Sequence, residues 1–178
     1  MIFYFDKKIE LLERQFKWDS ALIYLEEKFN TNFSVEILNS LIGFSWYYTV
    51  EGPLESKKYE LDECQYGILF WKKYIDFGIK EEIDNPFFYF IAGYTLCLHG
   101  FLIDQKYGRN YENLGIALMR KCIILSVGSS INRIATHFVN MHGAKKYIPL
   151  EIDIDDLKKI FSSNSLLEKY FIEIYSNK

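Results

Sequence analysis

The sequence predicts an all-α protein, and three observations carry that expectation. Apolar residues recur at helical spacing through most of the chain. Asn, Asp or Ser precedes several of these runs and Gly or Pro follows them, as helix starts and stops require. No stretch alternates apolar and polar residues between hairpin turns, and only KKYIPLEIDI offers a short extended piece. With 178 residues the chain fits a single domain, 1–178, able to bury a core without covalent or metal staples.

The elements follow in order. KWDSALIYLEEKFN puts Trp18, Ala21, Leu22, Leu25 and Phe29 on one helical face and turns Glu26 and Glu27 to solvent. FSVEILNSLIGFSWYYTVEG predicts a second helix, capped by Ser34 and ended by Gly52–Pro53. The helix in LDECQYGILFWKKYIDFGIKEEID is expected to start near Asp62 and stop before Pro86. NPFFYFIAGYTLCLHGFLID is the most apolar stretch. Its run from Phe87 to Ile103 is 17 residues, the short limit for a bilayer, and Tyr89, Gly93, Tyr94, Thr95, His99 and Gly100 interrupt it. With Asn85 as N-cap and Pro86 in the first turn, it predicts a buried helix rather than a membrane span. NYENLGIALMRKCIILSVG, SSINRIATHFVNMHG (closed by Gly143), DIDDLKKIFSS and SLLEKYFIEIYSN predict the remaining helices.

Composition narrows the function classes. The N-terminus, MIFYFDKKIELLERQ, has no basic segment ahead of an apolar one and does not read as a secretory signal. Cys64, Cys97 and Cys122 are odd in number and form no CxxC pair, so neither a disulfide framework nor a zinc site is expected, and a reducing cytoplasm fits. Fifteen Phe, 14 Tyr and 17 Lys against 4 Arg match an AT-rich gene, so only clustered aromatics are informative. No phosphate-binding or dinucleotide loop and no nucleophile elbow occurs. His99 reads as a core histidine, His137 and His142 lie five apart, a poor spacing for a shared metal, and Cys97 reads as a small hydrophobe. The expectation is therefore a protein that is not an enzyme and holds no cofactor or metal.

Charge is uneven. Residues 105–146 carry seven cations (Lys106, Arg109, Arg120, Lys121, Arg133, Lys145, Lys146) and one acid, Glu112, for a net charge of +6, while the chain as a whole is −3. Acids gather at 51–63, 81–84 and 151–156. In FSWYYTVEGPLESKKYELDE, three consecutive rings point in three directions, so one is expected at the surface beside acids, which is the make-up of an interface hot spot. The candidate partner-binding residues are Trp46, Tyr47, Tyr48, Glu51, Glu55, Glu60, Asp62 and Glu63.

Two resemblances add to this. Ile42-Gly43-Phe44 and Ala92-Gly93-Tyr94 each resemble the first helix of a tetratricopeptide-like pair, with Ala21 and Ala117 on the matching second helices. The 34-residue period is not kept, so a degenerate helical-hairpin array and an irregular helical bundle both remain open. GFSWYYTVEGPL, FWKKYIDFGI and NPFFYFIAGYTLCLHGFLI, within 42–104, resemble the helical immunity proteins of bacterial contact-dependent growth inhibition and related polymorphic toxin systems. That resemblance implies a small cytoplasmic protein that binds one cognate secreted toxin domain and blocks its active site or substrate surface. A nuclease, with its basic groove, would suit the acidic clusters. A helical adaptor binding a peptide or protein is the alternative. A nucleic-acid binder using 105–146 is a third reading, weakened by the overall acidity.

Overall fold

The computed structural model describes residues 2–50, 61–104, 106, 108–143, 154–161 and 165–176. The described residues are all-α, with nine helices and no strand. The chain divides into two compact units, 3–83 and 84–178 with the first two residues.

The first unit opens with α1 (Lys7–Arg14), a helix the apolar spacing did not disclose. Asp6 creates it. Its carboxylate accepts from the Lys8 and Ile9 amides at 2.9 Å each, and from the Tyr4 and Tyr24 hydroxyls at 2.8 and 2.7 Å. Burial raises the Asp6 pKa, but these hydrogen bonds outweigh it and hold the carboxyl below its ordinary value. Helix α1 ends in a Schellman motif (Phe16 N–H to Glu13, Lys17 N–H to Leu12), which puts Phe16 at φ 55°, a conformation that favours glycine.

Helix α2 (Trp18–Thr31) buries Trp18, Ala21, Leu22 and Leu25, as the spacing predicts. Ser34 accepts from the Ile37 amide at 3.2 Å and starts α3 (Val35–Val50). Every residue of α3 from Ile37 to Thr49 is buried. Its hydroxyls tolerate this by donating to carbonyls of the preceding turn: Ser40 to Glu36 (2.9 Å), Ser45 to Leu41 (2.5 Å) and Thr49 to Ser45 (2.7 Å). Helix α4 (Leu61–Lys80) packs along α3 and buries Trp71, Tyr74 and Ile75. It stops at Lys80, well ahead of Pro86, in a second Schellman motif with Glu82 at φ 50°.

In the second unit, Asn85 accepts from the Phe87 and Phe88 amides at 2.9 and 3.2 Å and starts α5 (Pro86–His99). All of Phe88–Cys97 is buried. The helix tightens at Gly100–Leu102 into a 3₁₀ turn, which leaves Phe101 exposed. Helix α6 (Gly108–Leu125) is its closest neighbour. Then come α7 (Ser130–Gly143), α8 (Ile154–Ile160) and α9 (Leu166–Ser176). Phe161 and Phe171 stack at 4.9 Å, 6.4 and 6.2 Å from Phe90 of α5. Among the described residues no helix is long and apolar enough to cross a membrane.

Glycine sets both close helix pairs. A Cβ on Gly93 would lie 2.9 Å from the Gly115 carbonyl oxygen and 3.0 Å from the Met119 amide nitrogen. A Cβ on Gly115 would lie 2.8 Å from the Gly93 oxygen and the Cys97 nitrogen. Partners thus descend on α6 as they ascend on α5, so the pair is antiparallel. In the first pair a Cβ on Gly67 of α4 would meet the Thr49 hydroxyl and lie 3.1 Å from the Ser45 oxygen.

These contacts correspond residue for residue at an offset of 48: Ser45 with Gly93, Thr49 with Cys97, Gly67 with Gly115. The second helices agree in sequence as well, GILFWKKYI against GIALMRKCI. The expected pairing of Gly43 with Gly93 is therefore shifted. Ala117 is exposed, because the contact belongs to Gly115 and two residues turn about 200° around a helix.

Candidate interaction surface

The rings chosen from the sequence are buried. Trp46, Tyr47 and Tyr48 are 0, 7 and 4 % exposed, against the expectation that one of them would reach the surface. Consecutive positions do point in different directions, but α3 is covered in each of them. Trp18 of α2 lies 5.5 Å from Tyr47 and 6.3 Å from Tyr48, ring to ring, and Gly67 of α4 seats beside Tyr48. The three rings are core. Of the acids placed beside them, Glu51, Glu55 and Glu60 lie outside the described residues, and Asp62 and Glu63 are described only as backbone in the first turn of α4.

Exposed apolar surface gathers instead where α6 ends. Ile124, Leu125 and Val127 are 72, 43 and 83 % exposed. Their backbone is fastened from several sides. Ser126 donates to the Cys122 carbonyl (2.6 Å), Ser129 to the Ser126 carbonyl (2.7 Å), and the Asn132 side-chain Nδ2 of α7 to the Ile123 carbonyl (2.7 Å). Gly128 takes φ 81° and completes the turn.

The rest of the exposed face of α6 carries Arg109, Arg120 and Lys121. Its one acid, Glu112, is engaged by His142 of α7 at 2.9 Å. Lys121 lies 5.2 Å from the Tyr89 ring centre, a cation–π contact. Tyr89, Lys121, Ile124, Leu125 and Asp84 line a notch of about 180 Å³.

The corresponding end of α4 differs at two of the three positions, while Ile79, the counterpart of Val127, is itself 36 % exposed. Asp76 stands where α6 has Ile124, and it pairs with Lys72, the counterpart of Arg120. Phe77 stands where α6 has Leu125, and the α2 end covers it through Phe29 at 5.0 Å and Phe33 at 6.1 Å. The fold thus accepts charge at one of these positions and covers the other.

Two further cavities lie in the second unit. One, of about 270 Å³, is lined by Tyr94, Leu98, His137, Phe138, Met141 and Tyr175, among others. The Tyr175 hydroxyl is buried without a hydrogen-bond partner. The other, of about 320 Å³, is bordered by Cys97, Lys106, Arg109 and Glu112. Burial first, and then Glu112, push the Cys97 thiol up to about 12, so it is a protonated thiol at neutral pH. Burial lowers the His99 pKa. Among the described residues no three His, Cys, Asp or Glu side chains gather as a metal's ligands do.

The sequence carried the signal for the α6 end. IILSVG keeps apolar residues on every side of a helix terminus, and α6 has no acid after Glu112. No family model, no curated protein and no solved structure matches the chain.

Proposed function

We propose that this protein acts by binding, as an immunity protein that occupies a cognate toxin domain, and that it meets its partner with the end of α6. The observation that supports this surface is the exposure of Ile124, Leu125 and Val127 on a fastened turn, where the counterparts of the first two on α4 are a paired Asp76 and a covered Phe77 and that of the third, Ile79, is less than half as exposed. Side chains that folding does not need to expose are candidates for a partner's surface. The immunity role itself rests on the resemblance of residues 42–104. The adaptor reading shares the same surface and differs only in what docks there.

The test is growth protection. The chain is expressed in cells that also produce the toxin domain encoded beside its gene, alongside an Ile124→Gln/Val127→Ser variant. Protection by the parent and its loss in the variant, with both proteins melting alike, is the expected result. Failure of the parent to protect removes the immunity reading and leaves the adaptor. Full protection by the variant moves the surface away from α6.

A further inference from the structure

Resting on that reading of the α6 surface, we infer that the partner presents an acidic patch around a protruding apolar side chain, which seats in the notch between Tyr89, Lys121, Ile124 and Leu125. Three features determine this. Arg120 and Lys121 lie exposed beside the notch and make no ion pair among the described residues, with Arg109 about 18 Å further along the same helix. Among the described residues the acids in reach are few: Glu112 is held by His142, and Asp84 at the rim of the notch is the one carboxylate that lines it. By contrast Arg133 of α7 is committed to Asp156 at 2.6 Å, and is not part of the surface.

The notch itself selects the kind of anchor. Its volume of about 180 Å³ suits one large apolar side chain, with the Tyr89 ring and the Lys121 methylenes as walls. Cations around an apolar socket are complementary to carboxylates around an apolar knob. A bilayer fits less well, because a concave notch with a carboxylate on its rim does not match a flat anionic surface. The basic groove of a nuclease would be repelled here. If the partner is such a toxin, this surface meets a part of it outside that groove.

The test uses the full chain and three synthetic helical peptides, read by fluorescence anisotropy at low and high salt. The first carries a central Phe and Leu flanked by Glu, the second the same pair flanked by Lys, and the third the Glu flanks with Ala at the centre. The Glu–Phe/Leu peptide is expected to bind at least tenfold more tightly than either of the others, a difference of about 1.4 kcal/mol. Its affinity should fall as salt rises, and Arg120→Glu/Lys121→Glu should transfer the preference to the Lys peptide. Equal binding of the Glu and Lys peptides, or an unchanged preference in the reversed variant, overturns the inference. So does tighter binding to vesicles containing phosphatidylglycerol than to the Glu peptide, or self-association that Ile124→Gln abolishes. Growth protection separates the two levels: if Ile124→Gln/Val127→Ser abolishes protection while the peptides show no charge preference, the surface stands and only the partner's chemistry is wrong.

Discussion

The pairs α3–α4 and α5–α6 are built on one plan and finished differently. Each brings a glycine of its second helix against the same two positions of its first, Ser45 and Thr49 in one pair, Gly93 and Cys97 in the other. In the first pair the added carbon would press on the buried Thr49 hydroxyl, which donates to the Ser45 carbonyl at 2.7 Å, and would lie 3.1 Å from that carbonyl oxygen. In the second its nearest obstructions include backbone of the facing helix at 2.8 to 3.0 Å. The ends differ as well. Helix α4 ends with an ion pair at Asp76 and aromatic cover over Phe77, with Ile79 36 % exposed, whereas Ile124, Leu125 and Val127 at the α6 end are 72, 43 and 83 % exposed. The pair whose seam meets backbone therefore bears the more open end. A surface that must hold its shape for a partner benefits from backbone it cannot slide along.

The largest expected effect breaks the tight seam. Gly115→Ala places a methyl against the Gly93 carbonyl and the Cys97 amide, and should lower the unfolding free energy by about 3 kcal/mol. Urea denaturation measures it, and a variant as stable as the parent would mean the helices do not approach as described. Adding Cys97→Ala should not rescue it, because the obstructing atoms that remain are backbone.

Asp6→Ala probes the cover of the first pair, where the residue caps α1 and takes two tyrosine hydroxyls from Tyr4 and Tyr24. It should be destabilising by about 1–2 kcal/mol at neutral pH. The folded carboxyl's pKa is depressed, so its contribution is present above the unfolded value and is lost as pH falls through the folded one. Urea midpoints of parent and variant should therefore converge in acid. A gap that stays constant would show that the carboxylate's charge is not what α1 uses.

Gly67→Ala sharpens the contrast between the seams. It should cost about 2 kcal/mol, and Thr49→Ala in the same chain should recover part of the loss, as no side-chain truncation does for Gly115→Ala. No recovery at Gly67 would dissolve the distinction. The smallest effect lies at the α4 end. Glu82 adopts φ 50°, so Glu82→Gly should raise stability by about 1 kcal/mol, visible as a higher thermal midpoint.

Much of the fold was legible in the sequence because helix starts and stops are local. Asn85, Pro86 and Ser34 stand where their hydrogen bonds later place them, and the face of α2 follows from spacing alone. Helix α1 was missed because it is only eight residues long, with Ile9, Leu11 and Leu12 as its apolar residues, so its one face spans barely two turns. The offset of 48 is written in GILFWKKYI and GIALMRKCI, but Gly43 and Gly93 suggested a false register, since nothing local says which glycine of a pair touches the other helix. The site was the least legible. Trp46, Tyr47 and Tyr48 looked like surface because three neighbouring positions face three ways, yet a helix covered all round buries every one of them. The α6 end, by contrast, shows an apolar helix terminus in IILSVG without showing whether anything covers it. Whether an apolar residue at a helix end is covered depends on what packs over it, which no single stretch of sequence reveals.

The central claim is that the α6 end is exposed for a partner and not for the fold. The most direct test measures two quantities on one preparation of Ile124→Gln: the unfolding free energy in urea, and the dissociation constant for the partner captured by the parent protein from its native host. The account predicts stability within about 0.5 kcal/mol of the parent, as for a surface substitution, together with at least tenfold weaker binding, a loss of about 1.4 kcal/mol or more. A variant that binds as tightly as the parent, or that loses stability in step with binding, would contradict it.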